Sequence, residues 1–230
     1  MKRSNFYLII LCSLVFLPIM LSAHGVSTSD QDMLRNGGLI YYILVGAKHM
    51  MTGYDHLLFL TGVLFYLKGF KDIIRFITAF TIGHSIILIL ATYLGIKIDE
   101  HLIDAIIALS VLYKGFENLN GFERFFNTSS PNLLTMVFIF GLIHGFGLST
   151  RLQSFDIGDS QFLAKIVCFN VGVELGQVVA LIPIVYIITR WQKLKSYDAF
   201  YKAVNTYLII AGIGLFVYQM YGYLSLTYLI

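Results

Sequence analysis

The chain has 230 residues, 57% of them hydrophobic and only 13% charged, with a formal net charge of +3 and a mean hydropathy of +0.77. A soluble domain carries about 25% charged residues, so a water-soluble globular fold is excluded. The small net charge says nothing about nucleic acid and no basic tract suggests such a partner, while the apolar runs are continuous, unlike the ~10-residue alternation of a membrane β-barrel. The expected fold is all-α, a polytopic helical protein whose surroundings are the lipid bilayer.

The N-terminus has the layout of a signal peptide. Lys2 and Arg3 precede an apolar run from Phe6 to Leu17, Pro18 breaks it, and Leu21-Ser22-Ala23 offers a small-residue cleavage site. The expected organisation is therefore residues 1–23 as a removable signal and 24–230 as a single transmembrane domain. Cleavage after Ala23 makes His24 the first residue, so that its free amine and imidazole can chelate a metal together. Cys12 and Cys168 are the only cysteines and both lie in apolar runs, so there is no disulfide framework.

Six apolar spans follow, at about 39–67, 76–95, 102–120, 131–149, 161–189 and 203–228. The first exceeds the ~20 residues a bilayer needs. It contains Gly46 and Gly53, so a break near its histidines is expected. Lys68, Lys71 and Arg75, then Arg124, then Arg190, Lys193, Lys195 and Lys202 fall in connections on one side of a six-span arrangement. Lys97 and Arg151 lie on the other, beside Asp99, Glu100, Asp156 and Asp159. The positive-inside rule then puts both ends outside, as a cleaved signal also requires. The spans divide into halves of three at about residue 125, each half with a glycine-flanked histidine, Gly83-His84 and His144-Gly145.

Polar residues recur inside these spans, where a charge at a helix centre costs roughly 2.5–3.5 kcal/mol. In the first span His49 and His56 are seven residues apart, within about 20° on one helix face, with Gly53 between them. Asp55 can ligate directly or hold a histidine's second nitrogen. The second span carries a stripe of Thr78, Thr81, His84 and Ser85, readable as interhelical hydrogen bonding or as part of a site. Glu117, followed by Asn118, is either a site carboxylate or a helix-end charge. In the fourth span three glycines surround His144 in Gly141-Leu-Ile-His144-Gly145-Phe-Gly147. In the fifth, Asn170, Glu174 and Gln177 recur at i, i+4 and i+7, and Glu174 lies near the span's midpoint, a candidate cation ligand or proton carrier. Histidines mixed with carboxylates make a borderline ligand set suited to nickel, cobalt or zinc.

With these blocks in view, the chain resembles the HupE/UreJ family of small membrane proteins. The resemblance rests on Gly46-Ala-Lys-His49-x3-Gly53-Tyr-Asp55-His56, Phe80-Thr-Ile-Gly-His84-Ser85, Ile107-Ala-Leu-Ser110-x6-Glu117-Asn118, Gly141-Leu-Ile-His144-Gly-Phe-Gly and Phe169-Asn170-x-Gly172-x-Glu174-x-Gly176-Gln177. It implies a role in nickel supply, with His49, Asp55 and His56 as the metal-binding motif of a nickel or cobalt permease in the inner (cytoplasmic) membrane of a bacterium. The larger nickel/cobalt transporters use a His-x4-Asp-His motif, one residue shorter than the His49-x5-Asp55-His56 here. The expected function is a secondary permease whose substrate is a divalent transition metal. The metal residues would be His49, Asp55, His56, His84, His144, Glu174, Asn170 and Glu117, with His24 for capture. Two readings from other classes stay open at this point: an intramembrane metalloenzyme holding zinc or iron with a site for water, and a metal-binding membrane accessory protein without turnover. No zinc-protease helix, nucleophile elbow or phosphate loop is present in the sequence, and Ser85 directly follows His84, neighbours that do not face each other on a helix, which argues against a serine hydrolase.

Overall fold

The computed structural model describes residue 34 and residues 38–65, 70–153 and 161–228. The expected signal segment and His24 lie outside these residues. The described helices are α1 (Leu39–Thr52), α2 (Tyr54–Leu64), α3 (Phe70–Tyr93), α4 (Glu100–Asn118), the short α5 (Gly121–Phe126), α6 (Leu133–Leu152), α7 (Phe162–Trp191) and α8 (Tyr197–Tyr228). The first apolar stretch is split at Gly53, as expected, into α1 and α2.

Side-chain chemistry sets the ends of these helices. Asp99 caps α4 by accepting from Leu102 N (3.0 Å), and Asn132 caps α6 by accepting from Thr135 N (3.1 Å). After α3, Gly95 takes φ +66 and lets Ile96 N–H reach back to Ala91 O (2.9 Å), closing the helix end.

The helices associate in three main pairs: α1 along α7, α3 along α6, and α4 along α8. Each pair joins a helix from before residue 125 to one from after it, so the two halves interlock rather than standing apart. Between helices in lipid there is no water to expel, and close backbone packing at small residues holds pairs together. A Cβ added at Gly172 would lie 2.0 Å from Ile43 O, one at Gly141 2.3 Å from Phe80 O, and one at Gly115 2.7 Å from Asn205 O. Helix α2 is apolar on nearly every side and packs against α1, α4, α7 and α8, which makes it the central element.

The outer faces are apolar as well. Ile74, Ile82, Ile86 and Leu90 line one side of α3, and Val167, Val171, Leu175, Val178 and Ile182 one side of α7, all exposed. Stripes of this extent mark a surface made for lipid. Among the described residues, four helices are long and apolar enough to cross a membrane: Lys71–Tyr93, Leu133–Leu152, Phe162–Trp191 and Tyr197–Leu226. Helix α4 is the exception in composition, carrying Glu100, Asp104, Lys114 and Glu117, and α1 and α2 are each short because of the break between them. The chain is an integral membrane protein with helical spans.

Candidate metal centre

The break at Gly53 builds the centre. Gly53 has φ −72 and ψ 89, which any residue can adopt; what glycine supplies is room. A Cβ there would lie 3.0 Å from His56 Nδ1 and 3.1 Å from His49 O. In an unbroken helix seven residues advance about 10.5 Å along the axis. Across this break the rings of His49 and His56 come to 5.5 Å between centroids. The same-face arrangement expected of a straight helix is thus replaced by a closer one.

Asp55 sits in the first turn of α2, where the helix N-terminus favours a negative charge. Its Oδ1 accepts from His56 N (2.8 Å) and from His56 Nδ1 (2.8 Å). A carboxylate oxygen can only accept, so Nδ1 carries the proton and Nε2 carries the lone pair. His56 Nε2 is buried and makes no hydrogen bond among the described residues. A histidine oriented by a carboxylate through one nitrogen and free at the other is the usual arrangement of a metal-ligating imidazole.

Two further histidines converge from α3 and α6. His144 Nδ1 lies 2.7 Å from Phe140 O, a carbonyl that fixes Nδ1 as donor and leaves the lone pair on Nε2. Its ring is 4.6 Å from that of His56. His84 is fully buried, its ring 6.1 Å from His56, and neither of its nitrogens hydrogen-bonds among the described residues. The glycines around His144 explain how α6 and α3 meet here. A Cβ at Gly145 would lie 2.3 Å from His84 O, so the two backbones touch beside the site. Phe59, Phe80 and Phe140 wall the cluster.

One ligand atom from each of Asp55, His56 and His144 lies within 4.8 Å of the other two. Ligands about 2.0–2.1 Å from a tetrahedral ion are roughly 3.3 Å apart, so a contraction of at most about 1.5 Å would close this triad on an ion. The donors are nitrogen with oxygen, a set that suits nickel, cobalt and zinc.

A family model described as HupE / UreJ protein matches residues 27–227. The chain belongs to the HupE/UreJ family. No curated protein and no solved structure matches it. In this HupE/UreJ member the motif blocks of α1, α2, α3 and α6 meet at one place, and those of α4 and α7 divide.

On α7, Asn170 is buried with an Oδ1 that makes no hydrogen bond among the described residues, and Gln177 receives Thr81 Oγ1 of α3 (3.3 Å). Glu174 is exposed beside Val171, Leu175 and Val178. The buried arc of α7 runs past Asn170 to Leu181, and Glu174 lies about 20° beyond that edge at 100° per residue. The spacing that suggested one polar face thus straddles the edge of the packed side. Glu117 is buried, but with Lys114 Nζ at 2.6 Å, while neighbouring Asn118 donates to Gly62 O (2.8 Å) and to Asn205 Oδ1 (2.6 Å). It belongs to a second polar group on α4, apart from the histidines.

Sequence reasoning missed the partners in that group and in a third. Lys114 is almost completely buried, and its i, i+3 spacing to Glu117 was the available signal. Arg151, read above as a connection charge, is buried in the last turn of α6 with Nη2 2.5 Å from Asp104 Oδ2. Gln219 donates to the same oxygen (3.2 Å) and meets His101 Nδ1 (2.7 Å). No local signal joins residues 47 positions apart.

Proposed function

We propose that this protein is a permease for a divalent transition metal, nickel or cobalt, which crosses the membrane by way of the histidine cluster. The observation that carries this is His84, buried at the meeting of α3 and α6 with both ring nitrogens unbonded among the described residues, beside His56 with its Nε2 in the same condition. Buried polar groups are normally satisfied. Imidazole nitrogens left open in the membrane interior, with a carboxylate already orienting one ring, are ready for a cation. In this reading α1 with α2, and α4, also cross, making six spans after a removed signal. The mature N-terminus lies outside the inner membrane of a bacterium, and His24 takes up the ion there.

Asp55, His56 and His144 supply the core of the site, and His49 and His84 extend it along the path. Conduction requires binding weak enough to release the ion. A ligand set that is loose before the ion arrives and drawn from four helices, α1, α2, α3 and α6, meets that need. The metal is cargo, and family membership supports nickel or cobalt over zinc.

The test is nickel and cobalt flux into proteoliposomes carrying the purified protein, with His56→Ala and Asp55→Ala as controls. Flux in the wild type and its loss in both variants is the expected result. A wild type that retains one metal per chain and passes none would overturn the transport reading.

A further inference from the structure

Glu174 is the unanswered charge of α7. It lies near the middle of a 30-residue helix, is exposed, and has no hydrogen bond or ion pair among the described residues. Ionisable side chains at this depth almost always face protein or water. Its side of α7 is therefore a face that something covers.

That face is shared with α3. Helix α3 packs on α6 through Phe80, Gly83 and His84, and α7 packs on α1 through Phe169, Gly172 and Gly176. Both turn these sides toward the histidines: His84 belongs to the cluster, and the Phe169 ring lies 6.0 Å from that of His49. Two residues on, Ile82 and Ile86 of α3 and Val171 and Val178 of α7 point the other way and are exposed. Between the two helices Thr81 Oγ1 donates to Gln177 Oε1 (3.3 Å). Helix α3 runs with α6, since Gly83 meets Phe138 and Gly145 meets His84. Both α6 and α7 are spans, so α7 crosses back and is antiparallel to α3. Ser85, four residues past Thr81, and Glu174, three residues before Gln177, therefore lie on the same side of that bond and at nearly one depth. Ser85 is half-buried, with part of its surface on the outer face.

We propose that this face docks a second copy of the chain, in a two-fold dimer held by Ser85 and Glu174. Both copies have one orientation in the membrane, so the axis runs along the membrane normal and every residue keeps its depth. On a face two helices wide, such an axis sets α7 of each copy opposite α3 of the other. The Glu174 carboxylate then accepts from the Ser85 hydroxyl of the other copy, twice per dimer, and the isoleucines of α3 meet the valines of α7. Interhelical hydrogen bonds of this kind hold membrane helices together. The donor that completes Glu174 is on the chain's own outer face and at its own depth, which selects a second copy over an unrelated helix. The dimer face is remote from the histidine side of both helices and does not depend on the metal reading.

The experiment is cross-linking in proteoliposomes of the full-length protein. In a Cys12→Ala/Cys168→Ala background, Ser85→Cys protein and Glu174→Cys protein are reconstituted together and oxidised. A disulfide-linked dimer is expected from the mixture and not from either protein alone. The dissociation constant of the dimer, read from Förster transfer between labelled copies as lipid is added, is expected to rise at least about fivefold in Glu174→Leu and in Ser85→Ala. The thermal midpoint of the diluted protein should fall in neither, which separates docking from folding. A protein that stays single at every lipid dilution gives the face to another occupant and overturns the proposal. A mixture that forms no cross-link, or variants that dimerise as tightly as the wild type, overturn it as well.

Discussion

The histidine cluster and the two charged groups of α4 are equally buried, and they differ in what answers each polar atom. At Lys114–Glu117 and Asp104–Arg151 every charge faces an opposite one, at 2.6 and 2.5 Å. At the cluster, His56 Nε2 and both nitrogens of His84 face other rings and make no hydrogen bond among the described residues. Burial inside a membrane costs in both places. Asp104 Oδ1 also makes no hydrogen bond among the described residues, but its charge is answered by Arg151; His84 has neither nitrogen bonded, and that separates a site for a ligand from a paired charge.

The comparison breaks first on stability. Asp104→Ala leaves Arg151, buried between α4 and α6, with the half-exposed Glu100 at 3.8 Å in place of its close partner. A loss of about 3–5 kcal/mol is expected, read as a large fall in the thermal midpoint in detergent, and Asp104→Leu/Arg151→Met should recover most of it. His84→Leu should do the reverse. Neither of its ring nitrogens makes a hydrogen bond among the described residues, so metal affinity is expected to fall about 10–100-fold while the metal-free midpoint stays nearly unchanged. Equal midpoint losses in Asp104→Ala and His84→Leu would erase the distinction.

Two smaller effects sharpen it. Gly46→Ala places a Cβ 2.1 Å from Phe169 O. It should push α1 from α7 at a cost of about 1–3 kcal/mol and weaken metal binding through His49, measurable as a lower midpoint and a higher dissociation constant together. Glu174→Gln is expected to change nickel affinity by less than about twofold, because Glu174 lies outside the packed arc of α7. A large loss in that titration would place Glu174 in the binding path.

Composition and spacing determine that this chain is helical and made for lipid, because an apolar run of bilayer length has few other ways to satisfy its backbone. They also point to a break in the first run near its histidines, which the structure places at Gly53 rather than Gly46, and to residues costly enough to matter: His49, Asp55, His56, His84 and His144 all reach one cluster. The tertiary structure decided the rest. Periodicity gives the angle of Glu174 around its helix but not the width of the arc its neighbours cover, so the midpoint carboxylate is exposed. The i, i+3 spacing offers Lys114 as a partner for Glu117 on α4, but it cannot say that Glu117 lies apart from the histidines or that Arg151 is buried on Asp104, because partners across helices are set by which glycines let which backbones approach. Pattern along one helix is local, whereas the closure of a site and the pairing of buried charges depend on contacts between α2, α3, α4, α6 and α8 that exist only once the bundle has formed.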